Sequence, residues 1–244
     1  MNISFEEFFK RLKGSFAQNG LSEFATDEIA RCFYEFTDIL LEANARFNLT
    51  AIRDPKDVIV RHYADCLLAQ HCFPAGATVM DIGCGGGFPT FPLAIARPDL
   101  SILAVDSTQK KIDFVVDAAK KLGLSNVKAF CARAESEEMR PYREKMDVVT
   151  SRAMANMRVL SELTLPYVRV GGKMIALKGL RGKEELDEAK GAISVLGGTV
   201  ENDLALELQT SDGVESRHLI VITKNKSTPK QYPRNYSVIT KKPL

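Results

Sequence analysis

Apolar positions in about the first seventy residues recur with the period of an α-helix. Ser4 and Glu7 form a capping-box pattern, which predicts a short helix that begins there. A second helix is predicted from about residue 22 to residue 45 on apolar residues with helical spacing, namely Phe24, Ile29, Phe33, Phe36, Leu40 and Ala43. Asp54 and Pro55 suit an N-cap and a first helical position, so a third helix is predicted to run from there toward Phe73.

The pattern changes at residue 77 to short apolar runs that alternate with helical patterns. Strands are predicted at residues 77–83, 101–107, 126–132, 146–152 and 173–179, and helices near 89–96, 108–122, 154–164 and 183–196. Strands and helices that alternate at this spacing form βαβ units and a mostly parallel sheet. Two later apolar runs, 198–208 and 216–224, flank a turn-rich segment and predict an antiparallel hairpin on the sheet edge.

These elements predict a single α/β structural unit with three parts. Residues 1–73 form an N-terminal helical extension, and residues 74–224 form the core. Residues 225–244 contain Pro229, Pro233 and Pro243, which predict a tail that lies over the surface. The length of 244 residues suits one α/β domain with a small appendage.

The composition argues against several classes of protein. With 45% hydrophobic and 26% charged residues, the chain is typical of a globular protein and not of a disordered or fibrous one. No run of about 18 apolar residues is present, so we expect no membrane span. The acidic residues near the N-terminus argue against a signal peptide. The five cysteines include no Cys-x-x-Cys pair, which favours the reducing cytoplasm.

The net charge of +2 does not by itself indicate a partner, but the charges are unevenly distributed. Residues 1–47 contain eight acidic and five basic side chains, whereas residues 224–244 contain six basic and no acidic ones. A basic second half suits a face that contacts phosphates. A solvated surface of lysines and arginines explains the charge equally well.

A glycine loop after the first predicted strand is the strongest local signal for a ligand. Asp81 is followed by Gly83-x-Gly85-x-Gly87-Phe88, and Phe88 stands where a dinucleotide-binding fingerprint needs glycine. This arrangement is that of class I S-adenosylmethionine (SAM) methyltransferases, which have a Rossmann-like fold. Asp106 ends the next predicted strand and suits a carboxylate that accepts the ribose hydroxyls. The alternative is that the glycines merely close a turn between strand and helix.

Further motifs occur in a fixed order. They are Asn48-Leu49-Thr50-Ala51-Ile52, His62-x-x-Asp65, the glycine loop with Pro89, Asp106-Ser107 with Lys110-Lys111, Arg133-Ala134-Glu135, Ser151-Arg152-Ala153, Lys178-Gly179, Arg217, Tyr232-Pro233-Arg234 and Lys242-Pro243-Leu244. From about residue 44 onward the chain resembles the RsmG (GidB) family, bacterial N7-guanine methyltransferases of small-subunit (16S) ribosomal RNA. Thr90 departs from the family pattern, which has glycine there, and so do the residues around Gly85.

The resemblance implies SAM as the cofactor and gives roles to matching residues. The implied cofactor-binding residues are Asp81, Gly83, Gly85, Gly87, Phe88, Asp106, Ala134, Glu135 and Arg152. Among them, Ala134 and Glu135 are expected to contact the adenine of SAM. Arg152 is the one expected catalytic residue, and its implied role is to position the cofactor or the incoming base.

Each of these roles has a structural alternative. Glu135 opens an acidic run that suits a solvated turn, and Arg152 suits a surface cation. Phe88 suits a core residue of its helix. His62 and Asp65 are one helical turn apart, so a structural pair between them is the favoured interpretation.

Methylation at N7 of guanine requires no proton removal during attack, because N7 carries an unshared pair in the neutral base. We therefore expect no general base, and alignment can supply most of the rate. His62 and Cys66 have helical spacing, but no further ligands follow, so we expect no metal site. The alternatives to an RNA methyltransferase are a SAM-dependent methyltransferase of small molecules and a non-catalytic nucleotide-binding protein.

We expect the partner to be ribosomal RNA or the small ribosomal subunit. The residues expected to contact RNA phosphates are Lys178, Arg181, Arg234, Lys241 and Lys242. The target base has to be unstacked or already exposed, because a duplex restricts access to its N7. The protein is expected to be a cytoplasmic monomer.

Overall fold

A seven-stranded sheet forms the centre of the computed structural model, which describes residue 1, residues 3–152 and residues 154–244. Ala153, part of one sequence motif, lies outside the described residues. The strands are β1 Thr78–Ile82, β2 Ser101–Asp106, β3 Val127–Cys131, β4 Met146–Arg152, β5 Val168–Lys178, β6 Gly198–Thr210 and β7 Gly213–Lys224. They are ordered β3-β2-β1-β4-β5-β7-β6.

The first five strands are parallel, and β7 pairs antiparallel with both β5 and β6. The α/β prediction of a mostly parallel sheet with a C-terminal antiparallel hairpin is thus confirmed. Strand β5 begins at Val168, five residues before the predicted start at residue 173. Its pairing with β4 shifts register between Met146 and Val148, and Gly171 has a φ of +82°. Gly171 and Gly172 lie in this early part of the strand and carry no apolar side chains, so the apolar pattern does not predict it.

The helices are α1 Phe5–Gln18, α2 Asp27–Phe47, α3 Pro55–Val58, α4 Asp65–Leu67, α5 Thr90–Ala96, α6 Gln109–Lys121, α7 Met157–Thr164, α8 Gly182–Val195 and α9 Tyr236–Lys241. As predicted, Ser4 caps α1 and accepts a hydrogen bond from the backbone N–H of Glu7. Helix α2 starts later than predicted, because the Thr26 hydroxyl caps it. A π-helical turn, Ile59–Ala64, joins α3 to α4.

The two faces of the sheet bury separate apolar clusters, and β1 contributes to both. Val79 belongs to the cluster under the N-terminal helices, whereas Met80 and Ile82 belong to the one under α7, α8 and α9. This division follows from the alternation of side chains along a strand. Phe36 of α2 packs on Phe91 of α5, so the extension contacts the core directly. None of the described helices combines the length and apolar character that crossing a bilayer requires.

The strand order reverses beside β1, which pairs with β2 on one side and β4 on the other. Open parallel sheets bind ligands in the crevice at the carboxyl ends of the strands at such a reversal. The tail follows the surface away from β7. Arg143 holds it by donating to the backbone carbonyls of Thr228 and Pro229, at 2.7 and 3.0 Å.

Candidate active site

The glycine loop after β1 is held against the end of β2. The backbone N–H groups of Gly83 and Cys84 both donate to the Val105 carbonyl, at 2.8 and 3.0 Å. Gly83 has a φ of +77°, and a Cβ added there would lie 2.7 Å from Met154 Sδ. A side chain at position 83 would therefore be strained and would collide with the loop that follows β4.

Asp106 ties this loop to the end of β2. Its Oδ2 accepts a hydrogen bond from the Gly85 N–H at 3.1 Å, and its Oδ1 accepts one from the Thr108 N–H at 2.9 Å. Lys111 Nζ lies 3.6 Å from Oδ2. An ionised carboxylate only accepts hydrogen bonds and has about four acceptor positions, so Asp106 retains capacity for ligand hydroxyls.

A cavity of about 380 Å³ opens at the carboxyl ends of the strands. Four of the predicted cofactor-binding residues line it, namely Gly83, Asp106, Ala134 and Glu135. The lining also includes residues that the sequence analysis did not single out for this site, namely Lys111, Met154, Leu163 and Tyr236. Lys111 stands in a motif quoted above, but position along the chain gives no indication that Leu163 or Tyr236 reaches this cavity.

Asp81 lies beneath the loop and is fully buried. Its Oδ2 accepts a hydrogen bond from the Thr90 hydroxyl at 2.6 Å, whereas Oδ1 has no hydrogen-bond partner among the described residues. The pKa of Asp81 is raised to about 7, chiefly because the carboxyl is buried and also because of the nearby Asp106 charge, against the opposing effects of Thr90 and Arg152. Thr90, the departure from the family pattern, is thus a direct partner of this carboxyl.

Arg152 ends β4 and is engaged within the protein. Its Nη2 lies 2.9 Å from Asp65 Oδ2 and donates to the Arg61 carbonyl at 2.6 Å. Asp65 Oδ1 lies 2.6 Å from Arg217 Nε of β7, so one buried carboxylate joins two guanidinium groups. The structural alternative for His62 and Asp65 was a pair with each other, but in the structure both contact Arg152.

His62 is held as a neutral imidazole. Arg152 Nη1 lies 3.0 Å from His62 Nδ1, and a guanidinium can only donate, so Nδ1 is the acceptor. The proton is then on Nε2, which donates to Thr50 Oγ1 at 2.8 Å. Burial, assisted by the Arg152 charge, lowers the His62 pKa to about 3. The ring stacks on Phe88 with centroids 3.9 Å apart.

The remaining predicted cofactor-binding residues surround the described cavity lining without being part of it. Gly85 binds Asp106, and Phe88 packs between His62 and Phe36. Gly87 has a φ of +86°, and a Cβ there would collide with the Phe91 ring. Asp81 and Arg152 lie below and beside the loop. Among the described residues, no group of three or more His, Cys, Asp or Glu side chains could hold a metal ion.

Of the five residues expected to contact RNA, two are held in largely buried ion pairs and three are exposed. Lys178 Nζ lies 2.7 Å from Glu185 Oε2 and is nearly buried. Arg234 binds both carboxylate oxygens of the fully buried Glu162, at 2.8 and 2.6 Å. These two cations therefore stabilise the fold and are not presented to solvent as free charges. Arg181, Lys241 and Lys242 are exposed, although Arg181 also pairs with Glu184.

Comparison with known proteins gives a consistent family match. A family model described as rRNA small subunit methyltransferase G matches residues 29–219. The ribosomal RNA small subunit methyltransferase G of Clostridium perfringens (strain 13 / Type A) is 41% identical over 241 residues, covering 98% of this chain and 99% of that protein. The protein of the same name from Oceanobacillus iheyensis is 44% identical over 229 residues, covering 92% and 93%.

Solved structures with a similar fold are much more distant in sequence. The YcgJ protein from Bacillus subtilis has a TM-score of 0.53 at 15% identity, covering 68% of this chain and all of that one. A SAM-dependent methyltransferase from Methanosarcina mazei has a TM-score of 0.52 at 15% identity, covering 65% and 97%. The predicted class I, Rossmann-like methyltransferase fold is thus confirmed.

Proposed function

Because the chain belongs to the rRNA small subunit methyltransferase G family, we propose that it transfers a methyl group from SAM to N7 of a guanine in small-subunit (16S) ribosomal RNA. The observation that carries this proposal is the family match over residues 29–219. The matched region contains the glycine loop, Asp106 and Arg152. Relatives that match nearly the whole chain are named as methyltransferases of small-subunit ribosomal RNA.

The residues around the cavity fit SAM. Gly83 lines the cavity and carries no side chain, so a ligand can approach the backbone of the loop closely. Asp106 is an acceptor for ribose hydroxyls, and Ala134 and Glu135 lie at the side of the cavity that follows β3. Asp81 Oδ1, which has no hydrogen-bond partner in the described parts of the chain, marks a polar position next to the loop. When bound, SAM supplies an electrophilic methyl group on its sulfonium.

The protein side of the reaction is alignment without proton transfer. N7 of a neutral guanine already carries the electron pair that attacks, so no side chain has to act as a base. His62 is poorly suited to that role, because its Nδ1 is occupied by Arg152 and its pKa is lowered to about 3. Arg152, whose orientation is fixed by Asp65 and the Arg61 carbonyl, is assigned a positioning role at the end of β4.

RNA contact is assigned to the exposed cations near the carboxyl ends of the strands and on the tail. Arg181 lies in the loop after β5, and Lys241 and Lys242 end the tail helix α9 and follow it. Phosphate contacts need charges that are free to exchange counterions. Lys178 and Arg234 are therefore left out of this assignment, because each is largely shielded from solvent in its ion pair. Arg181 is kept, because it and its partner Glu184 are both exposed. We further infer that the enzyme acts as a monomer in the cytoplasm.

The test is methylation of RNA and of small subunits from a strain that lacks this protein, using SAM with a labelled methyl group. We expect label on one guanine, and mapping should place it at N7 by cleavage after reduction of the modified base. Label on another atom would remove the N7 assignment, and label on small molecules alone would remove RNA as the substrate. A comparison of naked RNA with intact subunits identifies which of them is used.

A further inference from the structure

Tyr236 connects the C-terminal tail with the cofactor cavity. It is the first residue of α9, it helps to line the cavity, and it is 40% exposed. The apolar part of the lining around it comes from several elements, and includes Ala132, Ala134, Met154 and Leu163. The polar part includes Asp106. A large aromatic ring that remains exposed at such a cavity is available to pack against a ligand.

Buried contacts on both sides of Tyr236 fix the tail in this position. Before it, Arg234 forms the two hydrogen bonds to Glu162 of α7. After it, Ile239 is fully buried in the same apolar cluster as Ala134 and Leu163. Farther along the chain, Arg158 of α7 donates to the Pro243 carbonyl at 2.8 Å. The position of Tyr236 is therefore set by the folded tail and does not depend on a flexible end.

We propose that Tyr236 is a cofactor-binding residue whose ring packs against the adenosine part of SAM. Asp106 provides an acceptor for the ribose, and the apolar residues of the lining suit the flat face of the adenine. A base gains substantial affinity by stacking on an aromatic side chain. The tail is then part of the cofactor site, although its sequence suggests only a basic surface segment.

The first test is calorimetric titration of the full chain with SAM in the absence of RNA. We expect Tyr236→Ala to bind SAM about tenfold more weakly, which corresponds to about 1.4 kcal/mol. Tyr236→Phe should stay within about twofold of the wild type, because the ring is retained. Val238→Ala is the matched control, since Val238 is on the same helix, is 45% exposed and is not among the described residues of the cavity lining. Wild-type affinity in a folded Tyr236→Ala variant would overturn the proposal.

The second test uses the absence of tryptophan from the sequence. Tyr236→Trp places a single tryptophan at the cavity, and titration with SAM should change its emission with the dissociation constant that calorimetry gives for the same variant. Val238→Trp should respond much less. Equal responses, or no response at position 236, would contradict the proposal even if Tyr236→Ala failed to fold. Neither test contains RNA, so the outcome is independent of which base is methylated.

Discussion

Asp81 and His62 are buried titratable residues beside the glycine loop, and burial shifts the pKa of each in the direction that favours its neutral form. The Asp81 pKa is raised to about 7, and the His62 pKa is lowered to about 3. The partner of His62 also favours its neutral form, because Arg152 donates to it, whereas the Thr90 hydroxyl donates to Asp81 and partly opposes the effect of burial. The types of these residues are visible in the sequence, but their protonation depends on burial and on partners from distant segments.

The raised pKa of Asp81 predicts a stability difference that depends on pH. Above pH 4 the unfolded chain loses this proton, whereas the folded chain keeps it up to about pH 7, so Asp81 reduces the free energy of unfolding as the pH rises through that window. Asp81→Asn removes this effect and leaves an acceptor for Thr90. We expect the variant to gain about 2–4 kcal/mol relative to the wild type between pH 4 and pH 8.

Urea denaturation at several pH values measures this difference. Comparing variant with wild type at each pH cancels the contribution of His62, which has the opposite sign because its pKa is lowered. Asp113→Asn, an exposed carboxyl on α6, is the control and should show no comparable trend. A difference between Asp81→Asn and the wild type that is constant with pH would show that Asp81 is ionised in the folded protein.

Asp106 makes a separate prediction about cofactor affinity. Asp106→Ala removes the acceptor expected for the ribose hydroxyls, and a hydrogen bond to a charged group contributes about 1.5–3 kcal/mol. We therefore expect at least tenfold weaker SAM binding in calorimetry, with Asp113→Ala unchanged. Because Asp106 also binds the Gly85 and Thr108 N–H groups, circular dichroism must first show that the variant is folded. Unchanged affinity in the folded variant would remove Asp106 from the cofactor site.

Among the elements, strands and capped helices were predictable because their signals are local. The apolar runs place β1 to β4 within one residue of their observed bounds, and Asp54 and Pro55 mark the start of α3 as expected. Three features were not predictable in this way: the later start of α2, the π turn in Ile59–Ala64 and the early start of β5. A competing cap sets the start of α2, tertiary contacts set the π turn, and glycines leave the start of β5 without an apolar signal.

The π turn lies where the N-terminal extension meets the core, and the ion pairs of Asp65 join these two parts. Asp65 pairs with Arg152 of β4 and with Arg217 of β7. We expect Asp65→Asn to lower the free energy of unfolding by about 3–5 kcal/mol, because two guanidinium groups would remain without their buried carboxylate. Chemical denaturation measures this loss. Asp212→Asn is the matched control, since Asp212 pairs with Arg61 but its side chain is 73% exposed, and we expect a change below about 0.5 kcal/mol.

On the scale of the whole molecule, the charge pattern predicted a basic tail but could not predict which of its cations are free. Lys224 is fully buried, donates to the Leu165 carbonyl at 2.7 Å and has its pKa lowered to about 8 by burial. Arg234 forms an ion pair with Glu162, which lies 72 positions earlier in the chain. Such pairs arise only in the folded protein. For the same reason the cavity wall formed by Tyr236 could not be predicted, although the glycine loop and Asp106 could.

The exposed end of the tail makes the last prediction, which concerns RNA binding. Lys241 and Lys242 are exposed and have no ion-pair partner among the described residues. If both contact phosphates, replacing them with alanine should weaken RNA binding and reduce the slope of log K against log salt by about 1–2. SAM affinity should stay within about twofold of the wild type, because neither lysine is among the described residues that line the cavity. Fluorescence anisotropy with an RNA fragment at several salt concentrations measures the slope.

Lys10→Ala with Lys13→Ala is the matched control, because it removes the same charge from exposed positions of α1, which packs on the opposite face of the sheet from α9. A general loss of positive charge would reduce the slope equally in both double variants, whereas a local contact reduces it only in the tail variant. Equal slopes in the wild type and the tail variant would mean that RNA binds elsewhere. Arg181, in the loop after β5, would then be the next residue to replace, since it is the remaining exposed cation of the predicted set.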